Sequence, residues 1–306
     1  MVYTNQRTAY GNTLVALGKE NKNIVVLDAD LGGSTMGKMF EMTFPERHFE
    51  VGIAEANMVS VAAGLAQTGK VPFANSFAVF ASGRAYDQIR QTVSIGKLNV
   101  KVVGSSAGLS DFGDGATHQS VEDIAIMRAI PNMTVISPAD ANETVLATKA
   151  IAEYDGPVYM RLCRNDIPNV TLENGTFQIG KPTVLREGKD VAVFATGICV
   201  GLALEAAEKC ELDLKVINVS SLKPFDEKTI NGLVDDVRAV VCAEEHSVVG
   251  GLGSAVAEAL RRSGKPIEFV GIRDTFGCSA HNYQELLEHF GITSGAIAEA
   301  AMEVGK

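Results

Sequence analysis

Features that would direct a protein to a membrane or to nucleic acid are missing from this 306-residue sequence. No apolar run approaches the roughly 18 residues of a membrane-spanning helix, and the first residues lack the apolar core of a signal peptide. Positive charge is in deficit, because 27 Lys and Arg residues face 37 Asp and Glu residues and the formal net charge is −10. We therefore expect a cytoplasmic protein that binds neither anionic membranes nor nucleic acid.

Cysteine is scarce and follows neither a metal-binding nor a disulfide pattern. The five cysteines are odd in number and scattered, and no two of them form a Cys-x-x-Cys pair. They are Cys163, Cys199, Cys210, Cys242 and Cys278. A structural zinc site needs closely spaced pairs, and a disulfide framework needs an even set. The sequence therefore predicts a reduced chain without structural zinc.

The sequence does contain a regular alternation of short β-branched runs and helical patterns. Hydrophobic residues make up 46% of the chain, which is enough for sizeable cores, and the length favours two domains. The alternation predicts an α/β fold in which each domain has a mostly parallel sheet flanked by helices. In the first domain the strand candidates are Ile24–Leu27, Phe49–Ile53, Val71–Ser76, Val100–Ser105, Thr134–Ser137 and Val158–Leu162.

This alternation lapses over residues 165–188, where Pro, Asn, Gly and charged residues accumulate. Such a composition is typical of a linker. We predict a first domain over residues 1–175, a linker over 176–188 and a second domain over 189–306. In the second domain the strand candidates are Val191–Ala195, Leu214–Val219, Ala239–Ala243 and Ile267–Val270.

One carboxylate, Glu55, opens a helical stretch made almost entirely of small apolar residues. This stretch is too apolar on all sides to face water except at its ends, so we expect Glu55 to be buried or half-buried. A carboxylate in that environment is costly unless it is paired, hydrogen-bonded or protonated, which makes it a candidate for moving protons. Alternatively it only caps the helix, since the macrodipole favours negative charge there.

Further clusters follow the predicted strands, at the edge where parallel sheets usually carry their chemistry. Asp30 lies in a Gly-rich turn, Phe77 and Phe80 follow the third strand, and a long Gly-rich loop covers residues 105–119. A loop of this kind is costly to order and usually carries function. The simpler alternative is that the aromatic pair is core, as such pairs are in most proteins.

Together these clusters resemble the transketolase family. The matching strings, in the family's order, are Ala29-Asp30-Leu31-x-x-Ser34, Gly52-Ile53-x-Glu55-x-x-Met58, Phe77-x-x-Phe80, Asp114-Gly115-x-Thr117-His118-Gln119 and Pro138-Ala139-Asp140-Ala141-Asn142-Glu143. The last two strings are specific, whereas Glu-x-x-Met alone would be weak. The match covers essentially the whole chain, but only the C-terminal half of a full-length transketolase. That half consists of a pyrimidine-binding domain and a C-terminal domain.

The resemblance implies thiamine diphosphate as cofactor. In the family, the glutamate at the position of Glu55 hydrogen-bonds the pyrimidine nitrogen and drives its amino–imino tautomerism. A desolvated carboxyl group suits this task, because it can exchange a proton with a weakly basic ring nitrogen. Phe77 and Phe80 would form an aromatic wall against the pyrimidine. Asp30 would bind the cofactor as well, and His118 would be a second catalytic residue.

For the substrate, the resemblance implies transfer of a two-carbon ketol unit between sugar phosphates, as in pentose phosphate metabolism. Asp114 and His118 match residues that contact sugar hydroxyls. Arg7, Ser34 and Arg164 match residues that bind the phosphate, for which a guanidinium is suited because it can be bidentate.

Two departures leave the substrate open. Ser106 stands where transketolases usually carry a second histidine, and Ala81-Ser82-Gly83-Arg84 replaces an aromatic position with one extra residue. The string Arg84-Ala85-Tyr86-Asp87-Gln88 and the stretch Ser106-Ala107-Gly108 look more like deoxyxylulose-phosphate synthase. Two further alternatives are a β subunit of a 2-oxo acid dehydrogenase E1 component and a non-catalytic regulatory subunit that keeps the fold.

The resemblance covers only half of the family's active site. Gly113-Asp114-Gly115 with Asn142 mimics the family's diphosphate and metal motif, but these glycines lie inside the Thr-His-Gln string rather than at a strand-to-helix turn. The resemblance therefore implies no metal ligands on this chain. It implies an N-terminal partner subunit that supplies the diphosphate contacts and the ligands of magnesium or calcium. A homodimer of this chain within a heterotetramer is implied as well.

Overall fold

The computed structural model describes residues 2–306 as an α/β protein. Besides regular helices and strands, it has 3₁₀ turns at Pro45–Arg47 and Gly115–Thr117 and a π-helical turn at Ile89–Ser94. The elements up to residue 168 are β1 (Tyr3–Asn5), α1 (Gln6–Glu20), β2 (Ile24–Asp28), α2 (Gly32–Thr35), α3 (Gly37–Thr43), β3 (His48–Glu50), α4 (Glu55–Gln67), β4 (Val71–Phe77), α5 (Ala78–Gly83), α6 (Tyr86–Gln88), β5 (Lys101–Ser105), α7 (Asp123–Ala129), β6 (Thr134–Ile136), α8 (Ala141–Glu153), β7 (Val158–Arg161) and β8 (Asp166–Pro168).

The rest of the chain repeats the alternation of strands and helices. Its elements are β9 (Thr183–Arg186), β10 (Val191–Ala195), α9 (Cys199–Lys209), β11 (Leu214–Asn218), β12 (Ser221–Lys223), α10 (Glu227–Leu233), β13 (Ala239–Ser247), α11 (Leu252–Ala259), β14 (Ile267–Ile272), α12 (Tyr283–His289) and α13 (Ser294–Val304).

Both large sheets are mostly parallel and flanked by helices, which confirms the predicted fold class. The first sheet has the strand order β12-β6-β7-β5-β4-β2-β3 and is parallel except between β12 and β6. The second has the order β14-β13-β10-β11-β9 and is parallel except between β11 and β9. Strands β1 and β8 form a small antiparallel ribbon. Central strands such as β4 and β10 are buried along their whole length, as parallel strands covered on both faces require.

The strand predicted over Phe49–Ile53 is wrong in its bounds. The structure has β3 at His48–Glu50, and the chain then leaves the sheet. Gly52 adopts φ +71°, a left-handed conformation that glycine reaches at little cost. The Glu50 carboxylate accepts both the Gly52 N–H and the Asp30 N–H at 2.8 Å. These contacts turn the chain toward the start of α4.

The predicted linker, 176–188, is irregular only in part. Within it, β9 pairs antiparallel with β11 as the edge strand of the second sheet. Only one side of an edge strand is hydrogen-bonded, so its residues stay partly exposed and the sequence carries no buried-strand signal there. Conversely, β12 comes from the second half of the chain but pairs with β6 in the first sheet. The two halves of the chain are therefore joined by strand pairing as well as by the connecting segment.

Within residues 2–306 there is no helix long and apolar enough to cross a membrane. All five cysteines are free thiols, and three of them are buried: Cys163, Cys199 and Cys242. Burial raises the pKa of the Cys163 thiol to about 12. A buried, protonated thiol packs as a small apolar side chain.

Candidate active site

Glu55 is the first residue of α4 and is 4% exposed, which confirms the expected burial. The first turn of a helix favours a carboxylate because of the macrodipole. Its Oε1 lies 3.3 Å from Nη1 of Arg84. The Arg84 guanidinium also lies over the Phe80 ring, 4.5 Å from the centroid. Arg84 was not among the predicted site residues. It follows the short apolar helix α5, and its partner Glu55 lies 29 positions earlier, so no local pattern indicates this contact.

Three aromatic side chains lie beside this ion pair. Phe77 ends β4 and Phe80 lies in α5, and their rings are stacked with centroids 6.0 Å apart. The His118 ring meets both edge-on, at 6.1 Å from Phe77 and 5.3 Å from Phe80. Edge-on contacts suit the quadrupoles of aromatic rings. The structure therefore brings Phe77, Phe80 and His118 together, with Arg84 connecting them to Glu55.

Two arginines form a cationic end of the site. Arg7 Nη1 donates to the Ser34 carbonyl oxygen at 2.8 Å, and Nη2 donates to the Arg164 carbonyl oxygen at 2.9 Å. The Arg164 guanidinium lies 5.8 Å from the centroid of Phe77. Burial, followed by the Arg164 charge, lowers the pKa of Arg7 from its ordinary value. The three residues predicted to bind phosphate are thus neighbours, next to the aromatic rings.

Asp111 is a buried residue of this end that was not among the predicted site residues. Its Oδ2 accepts from Arg164 Nη1 at 2.9 Å. Burial raises the pKa of this carboxyl group, the Arg164 charge opposes that rise, and the charge of Asp114 adds to it. The partner of Asp111 lies 53 residues away, so no local pattern in the sequence indicates this ion pair. Asp111 offsets part of the positive charge that Arg7 and Arg164 bring.

Two of the predicted residues lie toward the outside. Asp114 is exposed at the start of the Gly115–Thr117 turn, beside Asp111. Asp30 is exposed with φ +60°, and its N–H donates to Glu50. Within residues 2–306 no hydrogen bond or ion pair joins Asp30 to the other predicted site residues. Its role as a cofactor-binding residue stays a prediction.

The chain matches two family descriptions in succession. Residues 3–169 match the transketolase pyrimidine binding domain, and residues 180–297 match the transketolase C-terminal domain. The first match contains all of the predicted site residues, and the second contains all five strands of the second sheet.

Proteins of nearly the same length are similar along almost the whole chain. The 6-deoxy-6-sulfo-D-fructose transketolase subunit SqwH of Clostridium sp. (strain MSTE9) is 45% identical over 303 residues, covering 97% of this chain and 94% of that protein. One of the subunits of the apulose-4-phosphate transketolase of Phocaeicola vulgatus is 33% identical over 305 residues, covering 98% and 97%. A solved structure described as a split gene transketolase, inactive beta4 tetramer, superposes with a TM-score of 0.89 at 47% identity, covering 98% of this chain and 97% of that chain. These matches show that the chain belongs to the transketolase family, with the two domains of its C-terminal half.

Proposed function

We propose that this chain is the C-terminal subunit of a split transketolase that uses thiamine diphosphate to transfer a two-carbon ketol unit between sugar phosphates. The observation that carries the proposal is the buried Glu55 carboxylate, which Arg84 connects to the stacked rings of Phe77 and Phe80. These groups fit an aminopyrimidine, because a carboxyl group can share a proton with a ring nitrogen and aromatic rings can stack on its face. When bound, thiamine diphosphate would supply a nucleophilic carbon for ketol transfer.

Each residue of this chain has a distinct task in the proposal. Glu55 holds a proton at the ring nitrogen, and its burial keeps water from competing for that proton. Arg84 pairs with Glu55 from the solvent side, where its own side chain is 56% exposed and can move aside. His118 has Nδ1 in contact with the Thr117 hydroxyl at 2.9 Å, which leaves Nε2 for a substrate hydroxyl.

The anionic end of the substrate is proposed to lie at Arg7 and Arg164. The names of two relatives give different substrates, a sulfonated fructose and a phosphorylated apulose. The family therefore allows the anionic end of the substrate to vary. An incoming anion has to compete with Asp111 for Arg164. We therefore propose that the donor substrate is a ketose with an anionic group at the end remote from its carbonyl. Asp114 and His118 would lie near its hydroxyl groups.

The diphosphate contacts and the magnesium or calcium ligands are proposed to come from an N-terminal partner subunit. Asn142 supports this placement, because its amide nitrogen donates to the Thr171 carbonyl oxygen at 2.8 Å and its amide oxygen accepts from Asn169. The asparagine that would complete a metal motif with Asp114 is thus engaged in the fold.

A second copy of this chain is proposed to pack against the outer face of α4, within a heterotetramer. That face exposes small residues, Asn57, Ser60 and Gly64, and Ile53 just before the helix is 73% exposed. Small side chains permit close approach of two backbones. We expect sedimentation at micromolar concentration to show at least a dimer, and a monodisperse monomer would contradict this packing.

The function is tested by comparing the chain alone with the chain mixed with a candidate N-terminal subunit. Alone, stacking contributes about 0.5–1.5 kcal/mol and a charged hydrogen bond about 1.5–3 kcal/mol, against an association cost of at least about 4 kcal/mol. We therefore expect calorimetry to show weak cofactor binding by the lone chain and assays to show no turnover. The pair should release the aldehyde product from a ketose phosphate donor.

Other outcomes separate the alternatives. Turnover of a 2-oxo acid instead of a ketose phosphate would favour a synthase-like or dehydrogenase-like subunit. Stable binding to the partner without turnover of either donor would favour a regulatory subunit. Micromolar cofactor binding by the lone chain would contradict the assignment of the diphosphate contacts to the partner.

A further inference from the structure

The loop that carries Asp114 and His118 is contacted along its length by the C-terminal domain. We call residues 106–119 the substrate loop. It contains three glycines and little regular structure beyond the short turn at Gly115–Thr117. Fixing the backbone of such a segment costs about 1–2 kcal/mol per residue, so its order has to come from contacts with the rest of the fold.

The first contact is made by Glu245 of β13. This residue is buried, and its carboxylate accepts the Leu109 N–H at 2.7 Å. Gly108 packs directly on that carboxylate with φ +64°, and a Cβ added there would overlap it. Two residues further along β13, the Ser247 N–H donates to the Val121 carbonyl oxygen at 2.7 Å. The end of β13 thus holds both ends of the segment from Gly108 to Val121.

A second contact is made by residues 277–280, which we call the clasp. The side-chain amide of Gln119 donates to the carbonyl oxygens of Asp111 at 3.2 Å and Cys278 at 3.0 Å. Gly277 lies so close to this amide that a Cβ would overlap Gln119 Oε1. The Ala280 N–H donates to the Phe112 carbonyl oxygen at 2.9 Å. The clasp therefore covers the middle of the substrate loop and connects it to the C-terminal domain.

We propose that the C-terminal domain is the scaffold of the substrate loop, with Glu245 and the clasp as positioning residues that set where Asp114 and His118 lie. This inference rests on the proposed function for the roles of Asp114 and His118. It gives the C-terminal domain a part in substrate recognition, although every predicted site residue lies in the pyrimidine-binding domain.

The test uses Gly277→Ala, which should push the Gln119 amide away from the Asp111 and Cys278 carbonyls. Hydrogen exchange is measured on the whole chain by mass spectrometry. Exchange over residues 108–119 should become about tenfold faster, because the free energy of opening this segment falls by the net contribution of about one hydrogen bond. Exchange in β4 and β10 should not change. Gly232→Ala is the matched control, because a Cβ at Gly232 meets nothing within 4 Å and that helical position does not need glycine.

A second variant keeps the inference testable if Gly277→Ala fails to fold. Glu245→Gln is nearly isosteric and leaves a weaker, neutral acceptor for the Leu109 N–H, so exchange should rise at Leu109 and its neighbours. Unchanged exchange of the loop in the folded variants would overturn the scaffold.

In the reconstituted pair, the variants should raise the KM for the ketose phosphate more than they lower kcat, and an unchanged KM would overturn the positioning role. If the unmodified pair transfers no ketol unit, the proposed function fails, while the exchange result still decides the scaffold.

Discussion

Replacing Glu55 with glutamine should lower the rate of ketol transfer by the reconstituted pair by about 10²–10⁴-fold. Glutamine keeps the size and the acceptor oxygen of the side chain but cannot exchange a proton with a ring nitrogen. The stability of the chain should change little, because the Arg84 side chain is 56% exposed and such pairs contribute about 0–1 kcal/mol. The measurements are the transfer rate, the exchange of the cofactor C2 proton for deuterium, and the thermal midpoint of the variant.

The control for this substitution is Glu46→Gln, which changes an exposed carboxylate nine residues earlier, with 69% side-chain exposure. It should leave both rates unchanged. Near-normal exchange of the C2 proton in Glu55→Gln would show that Glu55 only caps α4, which is the simpler alternative that its sequence position allows.

Arg161→Met should destabilise the chain by about 3–5 kcal/mol, because it breaks a buried ion pair and leaves one charge behind. Arg161 Nε lies 3.0 Å from Asp123 Oδ2, and both side chains are buried. Tyr159 donates its hydroxyl to the same carboxylate oxygen at 2.7 Å, but it cannot neutralise the charge. Arg161 also donates to the Glu245 carbonyl oxygen, so it contacts the C-terminal domain as well. Urea unfolding of the lone chain measures the loss.

Two comparisons decide whether the ion pair is the cause. Arg261→Met breaks an exposed pair with Glu227, in which both side chains are more than half exposed, and should cost no more than about 1 kcal/mol. Adding Asp123→Asn to Arg161→Met should restore part of the lost stability, since it removes the uncompensated charge. If the double variant is no more stable than Arg161→Met, lost packing rather than the stranded carboxylate explains the effect.

Features encoded within a short stretch of sequence were predicted. The central strands of the first sheet, such as β2 and β6, are short apolar runs and could be predicted from local pattern, whereas the bounds of β3 and the presence of β12 could not. The burial of Glu55 followed from the apolar residues on all sides of α4. The position of Phe77 and Phe80 at the end of a strand could be predicted locally, but their role as an aromatic wall was implied only by the family resemblance.

Features that depend on distant partners were missed. The strand predicted at Ala239–Ala243 continues to Ser247, so that Glu244, Glu245 and His246 are buried inside the sheet region. A run of charged residues normally ends a buried strand, but here each has a partner from another element. For example, the Glu244 carboxylate accepts N–H groups at the start of α11, 8 and 9 residues away, and Glu245 accepts the Leu109 N–H from 136 residues away. Only the folded structure shows such pairs.

The position of β12 bears on how the genes of this family can be divided. Because β12 completes the outer edge of the first sheet, a chain interrupted at the predicted linker would leave β6 without its neighbour and lose the hydrogen bond from the Ser137 N–H to the Ser220 carbonyl oxygen at 2.7 Å. The strand would still pair with β7 but would be open on its other side, and such an exposed edge invites pairing with other molecules. Gene fission between the two domains of this chain would separate strands of one sheet, so folding favours a single reading frame for both domains.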